Sequence, residues 1–116
     1  QEELAPFKAP FDFTEWDIKS GRYVLITDKE KKLEIAKQIS PITHVTEDDP
    51  PTYIIHGDKD PIVPIQQSES MKAALEAVKV PVVLDIRKGQ GHGWEGWLDD
   101  LGLFAEWFDQ HLQKAK

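Results

Sequence analysis

The chain has 116 residues, of which 40% are hydrophobic and 30% are charged, so it has the composition of one folded domain rather than of a disordered tail. Its formal net charge of −7 argues against nucleic acid or an anionic membrane as a partner, because both bind basic surfaces. The absence of cysteine excludes disulfides and thiolate chemistry, and no apolar run could span a bilayer. The chain opens with Gln-Glu-Glu-Leu, which has neither an initiating Met nor a signal-peptide pattern, so we expect a trimmed or cloned segment of unknown localisation.

The N-terminal part, residues 1–40, is predicted to be a lid-like or irregular segment with one helix. Its first half contains aromatic residues and prolines at irregular spacing: Pro6, Phe7, Pro10, Phe11, Phe13, Trp16. The apolar run Arg22–Ile26 fits a strand or a buried link, and its periodicity does not decide between them. Thr27 followed by Glu30 has the form of a capping box, which predicts a helix that Pro41 ends.

The remaining part, residues 41–116, alternates strands and helices. The predicted elements are the strand Thr52–His56, a helix from Ile65 to about Val78, the strand Val82–Ile86, and a helix from near Asp99 or Asp100. This order is typical of parallel strands joined by helical crossovers, and therefore of the α/β class. Two or three parallel strands make a poor sheet, because such sheets need several strands and covered faces. The sheet is therefore predicted to be incomplete.

Two loops follow the two predicted strands, at the C-terminal strand ends where open α/β sheets place their ligands. The first, His56–Pro64, reads HGDKDPIVP, and the second, Lys88–Trp94, reads KGQGHGW. The patterns HG-x-x-D-x-x-VP and G-H-G, in this order, resemble the acid and histidine loops of the α/β-hydrolase superfamily. Ser40–Val45 and Asp48–Pro51 resemble its esterase/lipase branch, which includes carbohydrate-ester hydrolases. The resemblance covers the chain from about residue 40 onward and implies the C-terminal part of a three-layer α/β-hydrolase fold.

By this resemblance, Asp60 is the acid of a Ser–His–Asp triad and His92 is its general base. Asp58 is the competing acid, but the motif puts the acid two residues later. The resemblance implies a carboxylic ester as substrate, of the short-chain or carbohydrate kind, and neither a cofactor nor a metal. Trp94 is the candidate substrate-binding residue, since with Trp97 it could line an acyl or sugar pocket; covering the last helix is the equally weighted alternative.

The nucleophile of this fold lies in a G-x-S-x-G turn, and no such turn occurs in this sequence. Four serines are present, and none has the required glycines: Ser20, Ser40, Ser68, Ser70. We therefore expect a C-terminal fragment of a serine carboxylic-ester hydrolase that is inactive alone and has the serine-bearing N-terminal half as its partner. Two alternatives stay open. One is part of a serine peptidase of the same fold, and the other is a non-catalytic domain that self-associates through an orphaned strand edge.

Two other interpretations concern the histidine that ends the first predicted strand. His56 precedes a glycine as His92 does, yet it closes a buried strand, so we predict a structural role for its ring. A metal site made of His56, Asp58, Asp60 and His92 has acceptable ligand types. It lacks the tight spacing of a motif such as H-E-x-x-H, so the interpretation is disfavoured.

Overall fold

A computed structural model describes residues 12–112, and these residues fall into two units, one that ends at His44 and one that begins at Val45. In chain order the elements are β1 (Thr14–Asp17), β2 (Arg22–Leu25), α1 (Lys29–Ile39), β3 (Thr52–Gly57), α2 (Gln66–Ala77), β4 (Val82–Arg87) and α3 (Leu101–Leu112). The part of the predicted lid-like segment that holds Pro6, Phe7, Pro10 and Phe11 lies outside the described residues.

The first unit begins with an antiparallel hairpin of β1 and β2, paired from Thr14↔Leu25 to Asp17↔Arg22. The prediction of an irregular segment was therefore wrong for Thr14–Asp17, and Arg22–Leu25 is a strand. Local chemistry makes the turn, because the Asp17 side chain accepts hydrogen bonds from the backbone N–H groups of Lys19 and Ser20. An edge-to-face contact across the strands, with ring centroids 5.2 Å apart, joins Trp16 and Tyr23.

Helix α1 follows this hairpin and begins one residue later than the capping-box pattern indicates. Asp28, not Thr27, is the N-cap, and its Oδ1 accepts a hydrogen bond of 2.7 Å from the backbone N–H of Lys31. The predicted end is confirmed: the helix stops at Ile39, since the residue before Pro41 is driven out of the helical conformation. A short 3-10 turn, Pro41–His44, closes the unit.

The second unit contains a two-stranded parallel sheet in which β3 pairs with β4 from Thr52↔Val82 to Gly57↔Arg87. Helix α2 connects the two strands, as the alternation of elements predicted, and α3 follows β4. The helices lie on opposite faces of the sheet. Tyr53 contacts aromatic rings of α3, whereas His56, three residues further along the strand, bonds to Ser68 of α2. This arrangement confirms a three-layer α/β architecture, of which the sheet is only a part.

The second unit has a hydrophobic core that is small for a unit of this length. Leu75 and Val80 are its buried hydrophobic side chains among the described residues, while Trp97, Leu101 and Phe108 are at least half exposed. In the described range neither β3 nor β4 has a second strand beside it, so one edge of each strand is unpaired. None of the helices in residues 12–112 has the length and hydropathy needed to cross a membrane.

Candidate functional site

The acid loop and the histidine loop meet at the C-terminal ends of β3 and β4. Adjacent parallel strands end at the same sheet edge, so their following loops are neighbours. The backbone N–H of Lys59 donates to the carbonyl of Gln90 at 2.9 Å. A Cβ on Gly57 would lie 2.2 Å from the carbonyl oxygen of Gly91. Glycine is therefore required at position 57, because any larger residue would force the two backbones apart.

Asp60 lies in the acid loop with both carboxylate oxygens bonded. Oδ1 accepts the backbone N–H groups of Ile62 and Val63 at 2.8 and 2.9 Å, which fixes the carboxylate at the start of the following turn. Oδ2 accepts Nδ1 of His92 at 2.8 Å. The side chain of Asp60 is only 5% exposed, so these bonds form largely away from water.

His92 completes this pair from the histidine loop, 32 residues away in the chain. Its side chain is 56% exposed, and Nδ1 is the nitrogen turned toward Asp60. Nε2 forms no hydrogen bond within the described residues. The carboxylate on Nδ1 favours the tautomer with its proton there, which leaves the lone pair of Nε2 free to accept a proton from another group.

The surroundings of Asp60 keep its carboxyl group ionised. Burial raises the pKa of Asp60, but the hydrogen bonds from Val63, His92 and Ile62 together outweigh burial and lower the pKa from 3.8 to about 2. At neutral pH the site therefore holds a carboxylate that can orient the imidazole and stabilise its protonated form.

A second histidine, His56, is buried close to Asp60. The carbonyl of Val63 lies 3.0 Å from its Nε2 and can only accept, so in the neutral ring Nε2 carries the proton and Nδ1 accepts from the Ser68 hydroxyl at 2.6 Å. Nε2 also lies 3.4 Å from Oδ2 of Asp60. Both nitrogens are thus bonded inside the unit, in agreement with the structural role predicted for this ring.

The other residues considered from sequence lie apart from the His92 ring. The Asp58 carboxylate turns to the backbone N–H of Gly89 at 2.6 Å, so it crosslinks the loops without contacting His92. Among the chain's four serines, Ser68 bonds to His56, and none bonds to His92. In residues 12–112 no group of three or more His, Asp or Glu side chains is arranged to hold a metal ion.

Trp94 lines two cavities, and His92 lines both as well. One cavity of about 190 Å³ extends toward the acid loop and includes His56, Asp60 and Val63. The other, of about 280 Å³, is aromatic, with Trp97 and Phe104 in its lining. Trp94 lines both, so the structure places the predicted substrate-binding residue beside the histidine.

A polar network behind Trp94 was not foreseen from the sequence. Asp100 accepts Nε1–H of Trp94 at 2.8 Å and Nη2 of Arg87 at 2.6 Å. Arg87 also donates to Asp85 at 2.9 Å, and Asp85 accepts the hydroxyl of Tyr53 at 2.9 Å. Hydrogen bonds from Arg87 and Trp94 lower the pKa of Asp100. Apart from the pair two residues apart on β4, the members are at least six residues apart, so no local motif could have revealed the network.

Comparison with known protein families shows which family the chain belongs to. The model of the family described as BD-FAE matches residues 4–75, more than half of the chain, and this range includes the acid loop but ends before the histidine loop. The chain belongs to the BD-FAE family. BD-FAE domains are α/β-hydrolase-like, so the resemblance inferred from the two loops is confirmed.

Known esterases are among the relatives of this BD-FAE chain. Esterase LipC of Mycobacterium tuberculosis (strain ATCC 25618 / H37Rv) is 33% identical over 98 residues, which are 82% of this chain and 23% of LipC. The probable carboxylic ester hydrolase LipM of the same organism is 31% identical over 87 residues, 67% of this chain and 20% of LipM. A solved structure, a truncated form of a carbohydrate esterase from gut microbiota, superposes with a TM-score of 0.53 at 35% identity, over 60% of this chain and 26% of that one. The chain therefore spans about a quarter of the length of these relatives.

Proposed function

We propose that this chain supplies the acid, Asp60, and the general base, His92, of a serine carboxylic-ester hydrolase whose nucleophilic serine lies outside these 116 residues. One observation carries the proposal. The Asp60 carboxylate, ionised at neutral pH, holds Nδ1 of His92 at 2.8 Å at the ends of two adjacent parallel strands. The absence of a G-x-S-x-G turn from the sequence supports a nucleophile contributed by residues beyond these 116.

In the proposed reaction, the hydroxyl of that serine attacks the ester carbonyl while Nε2 of His92 takes its proton. The ionised Asp60 stabilises the imidazolium, which then gives the proton to the departing alcohol. A water molecule, activated by the same nitrogen, releases the carboxylic acid and regenerates the serine. A carboxylic ester is the proposed substrate, because LipC, LipM and the carbohydrate esterase are all named as ester hydrolases.

The structure of the second unit supports a partner that contributes more of the sheet. One edge of each parallel strand is unpaired in the described range, and large apolar side chains such as Trp97 and Phe108 are more than half exposed. We propose that the serine-bearing part of the hydrolase pairs with an edge and covers these side chains. Self-association of two copies is the alternative. Sedimentation of the purified chain between 5 and roughly 500 µM, the range in which weak pairing shows, distinguishes a monomer from a dimer.

The test joins this chain to a nucleophile. The segment from residue 45 onward replaces the matching portion of the carbohydrate esterase, and circular dichroism and thermal melting verify that the chimera folds. We expect hydrolysis of p-nitrophenyl acetate that falls at least about a thousandfold in His92→Gln and about a hundredfold or more in Asp60→Asn. The matched control Asp58→Asn removes the neighbouring carboxylate and should keep most of the activity.

The outcomes separate the two parts of the proposal. A folded chimera whose turnover is indifferent to His92→Gln would show that His92 is not the base. The chain alone should hydrolyse p-nitrophenyl acetate no faster than its own His92→Gln variant. An exposed imidazole can itself attack this activated ester, so each serine is also replaced by Ala. Turnover by the chain alone that disappears both in His92→Gln and in one of these serine variants would mean that this serine is the nucleophile, contrary to the proposal.

A further inference from the structure

Trp94 lines both of the cavities at His92. His92, Trp94 and Ile55 line both cavities, which have volumes of about 190 and 280 Å³. Ile55 belongs to β3 and is held by the sheet, whereas Trp94 belongs to a loop. The shape of both cavities beside His92 therefore depends on what fixes the Trp94 side chain.

The backbone at Trp94 forms a turn in which the N–H of Trp97 donates to the Trp94 carbonyl at 3.3 Å, but this bond does not hold the indole ring. Glycines precede and follow it at positions 91, 93 and 96, and Gly96 has a φ of +80°. A glycine-rich segment leaves many backbone conformations open, so the side chain needs a contact of its own. Trp94 has such a contact, because Nε1–H donates to Oδ2 of Asp100 at 2.8 Å.

Asp100 is itself held from the sheet. Nη2 of Arg87 donates to its Oδ1 at 2.6 Å, and Nε lies 3.4 Å from its Oδ2, so the planar guanidinium faces both carboxylate oxygens. Arg87 is the last residue of β4, and its Nη1 is anchored to Asp85 at 2.9 Å. A continuous series of hydrogen bonds thus runs from the strand through Asp100 to the indole.

We infer that Arg87 and Asp100 are positioning residues that fix the Trp94 indole where it lines both cavities beside His92. The inference rests on the proposed function, because it assigns these cavities to the acyl and alcohol groups of an ester. Arg87 acts through Asp100, and Asp100 acts through Trp94. Asp100 also lines the larger cavity, but both of its oxygens are engaged by Arg87 and Trp94, so we assign it the orientation of the indole.

The test follows the indole N–H signals of the full chain in ¹H–¹⁵N spectra. The Trp94→Phe variant assigns the Trp94 signal by its loss. In Arg87→Gln and in Asp100→Asn we expect this signal to move and its N–H to exchange with water about tenfold faster, because the carboxylate acceptor is displaced or lost. The His92 ring-proton signals should shift in the same variants and in Trp94→Phe, since the indole ring beside His92 is moved or replaced.

Two controls separate positioning from loss of structure. Arg22→Gln makes the same change in charge at the chain's only other arginine and should leave the Trp94 signal in place. Arg87→Lys keeps the charge but not the planar fork, so it should restore the signal only in part. The Trp107 indole, bonded to the Pro51 carbonyl at 3.2 Å, reports the packing of α3. Its ring contacts Tyr53, which bonds to Asp85, so its signal should move less than that of Trp94 in Arg87→Gln and stay in place in Asp100→Asn.

An unchanged Trp94 signal in both Arg87→Gln and Asp100→Asn would overturn the inference. Equal shifts of the Trp94 and Trp107 signals would also overturn it, because Arg87 would then be stabilising the whole unit. Failure of the proposed function is recognised separately, since these spectra need no turnover. An inactive chimera combined with a displaced Trp94 signal would refute the ester hydrolase and leave the positioning pair established.

Discussion

Replacing Asp60 with Asn tests the central pair of the site through stability as well as through activity. The pKa of Asp60 is lowered from 3.8 to about 2, a difference of nearly two pKa units, because hydrogen bonds from Val63, His92 and Ile62 outweigh the opposing effect of burial. At about 1.4 kcal/mol per unit, the ionised carboxylate contributes about 2 kcal/mol to the free energy of unfolding at pH 7. Asn keeps a single oxygen and no charge, so Asp60→Asn should lose about that amount.

The direction of the pH dependence follows from the lowered pKa. A carboxyl group whose pKa is lowered in the folded state stabilises the protein fully above its unfolded pKa of 3.8, and this contribution disappears as the pH falls through about 2. The difference in unfolding free energy between the wild-type chain and Asp60→Asn should therefore shrink by about 1 kcal/mol between pH 7 and pH 3.

Urea unfolding of both chains at several pH values, followed by circular dichroism and fitted with one shared slope, measures this difference. The neighbouring variant Asp58→Asn is the control, since it removes the charge of an exposed side chain but keeps an oxygen that can accept from Gly89, and it should cost about 1 kcal/mol or less. A loss below about 0.5 kcal/mol for Asp60→Asn at pH 7, or a loss that stays constant down to pH 3, would refute the account of Asp60 as a buried, bonded carboxylate.

Three further substitutions test how the loops and helices are built. Gly57→Ala should lower the unfolding free energy by about 2 kcal/mol or more, because the added Cβ would lie 2.2 Å from a backbone carbonyl oxygen of the histidine loop. Asp28→Ala should cost about 1 kcal/mol by removing the N-cap of α1, as measured by thermal unfolding. Ser68→Ala should cost about 1–2 kcal/mol in urea, because it leaves Nδ1 of a buried histidine without its donor.

Each of these substitutions has a matched control in the chain. Gly93→Ala places a Cβ in open space, so its effect should stay within about 0.5 kcal/mol. Thr27→Ala should likewise be nearly neutral, although the capping-box pattern singles out this residue. Ser70→Ala removes a serine two residues from Ser68 in the same helix and should also be nearly neutral. A control that costs as much as its partner would show that the contact named for that partner is not the cause.

Local patterns sufficed for the elements whose causes are local. The β-forming runs predicted β3 and β4 to within one residue at each end, and the helical spacing of apolar residues predicted α2. The two strands of the first hairpin were harder. Thr14–Asp17 is only four residues long and shows no alternation, and its pairing depends on a turn made by side-chain bonds of Asp17. The cap of α1 was misplaced for a similar reason, since Thr27 and Asp28 are both good capping residues.

For the site, the sequence by itself determined the two motifs, and their resemblance to the acid and histidine loops of the superfamily implied Asp60 and His92 as the candidate pair. Tertiary structure alone decided which oxygen meets which nitrogen, how deeply the acid is buried, and that Asp58 turns away to Gly89. It alone brought Arg87 to Asp100 and Ser68 to His56. The physical reason is distance along the chain: these contacts join residues 12 to 32 positions apart, and only the parallel pairing of β3 with β4 and the packing of a helix on each face bring them together.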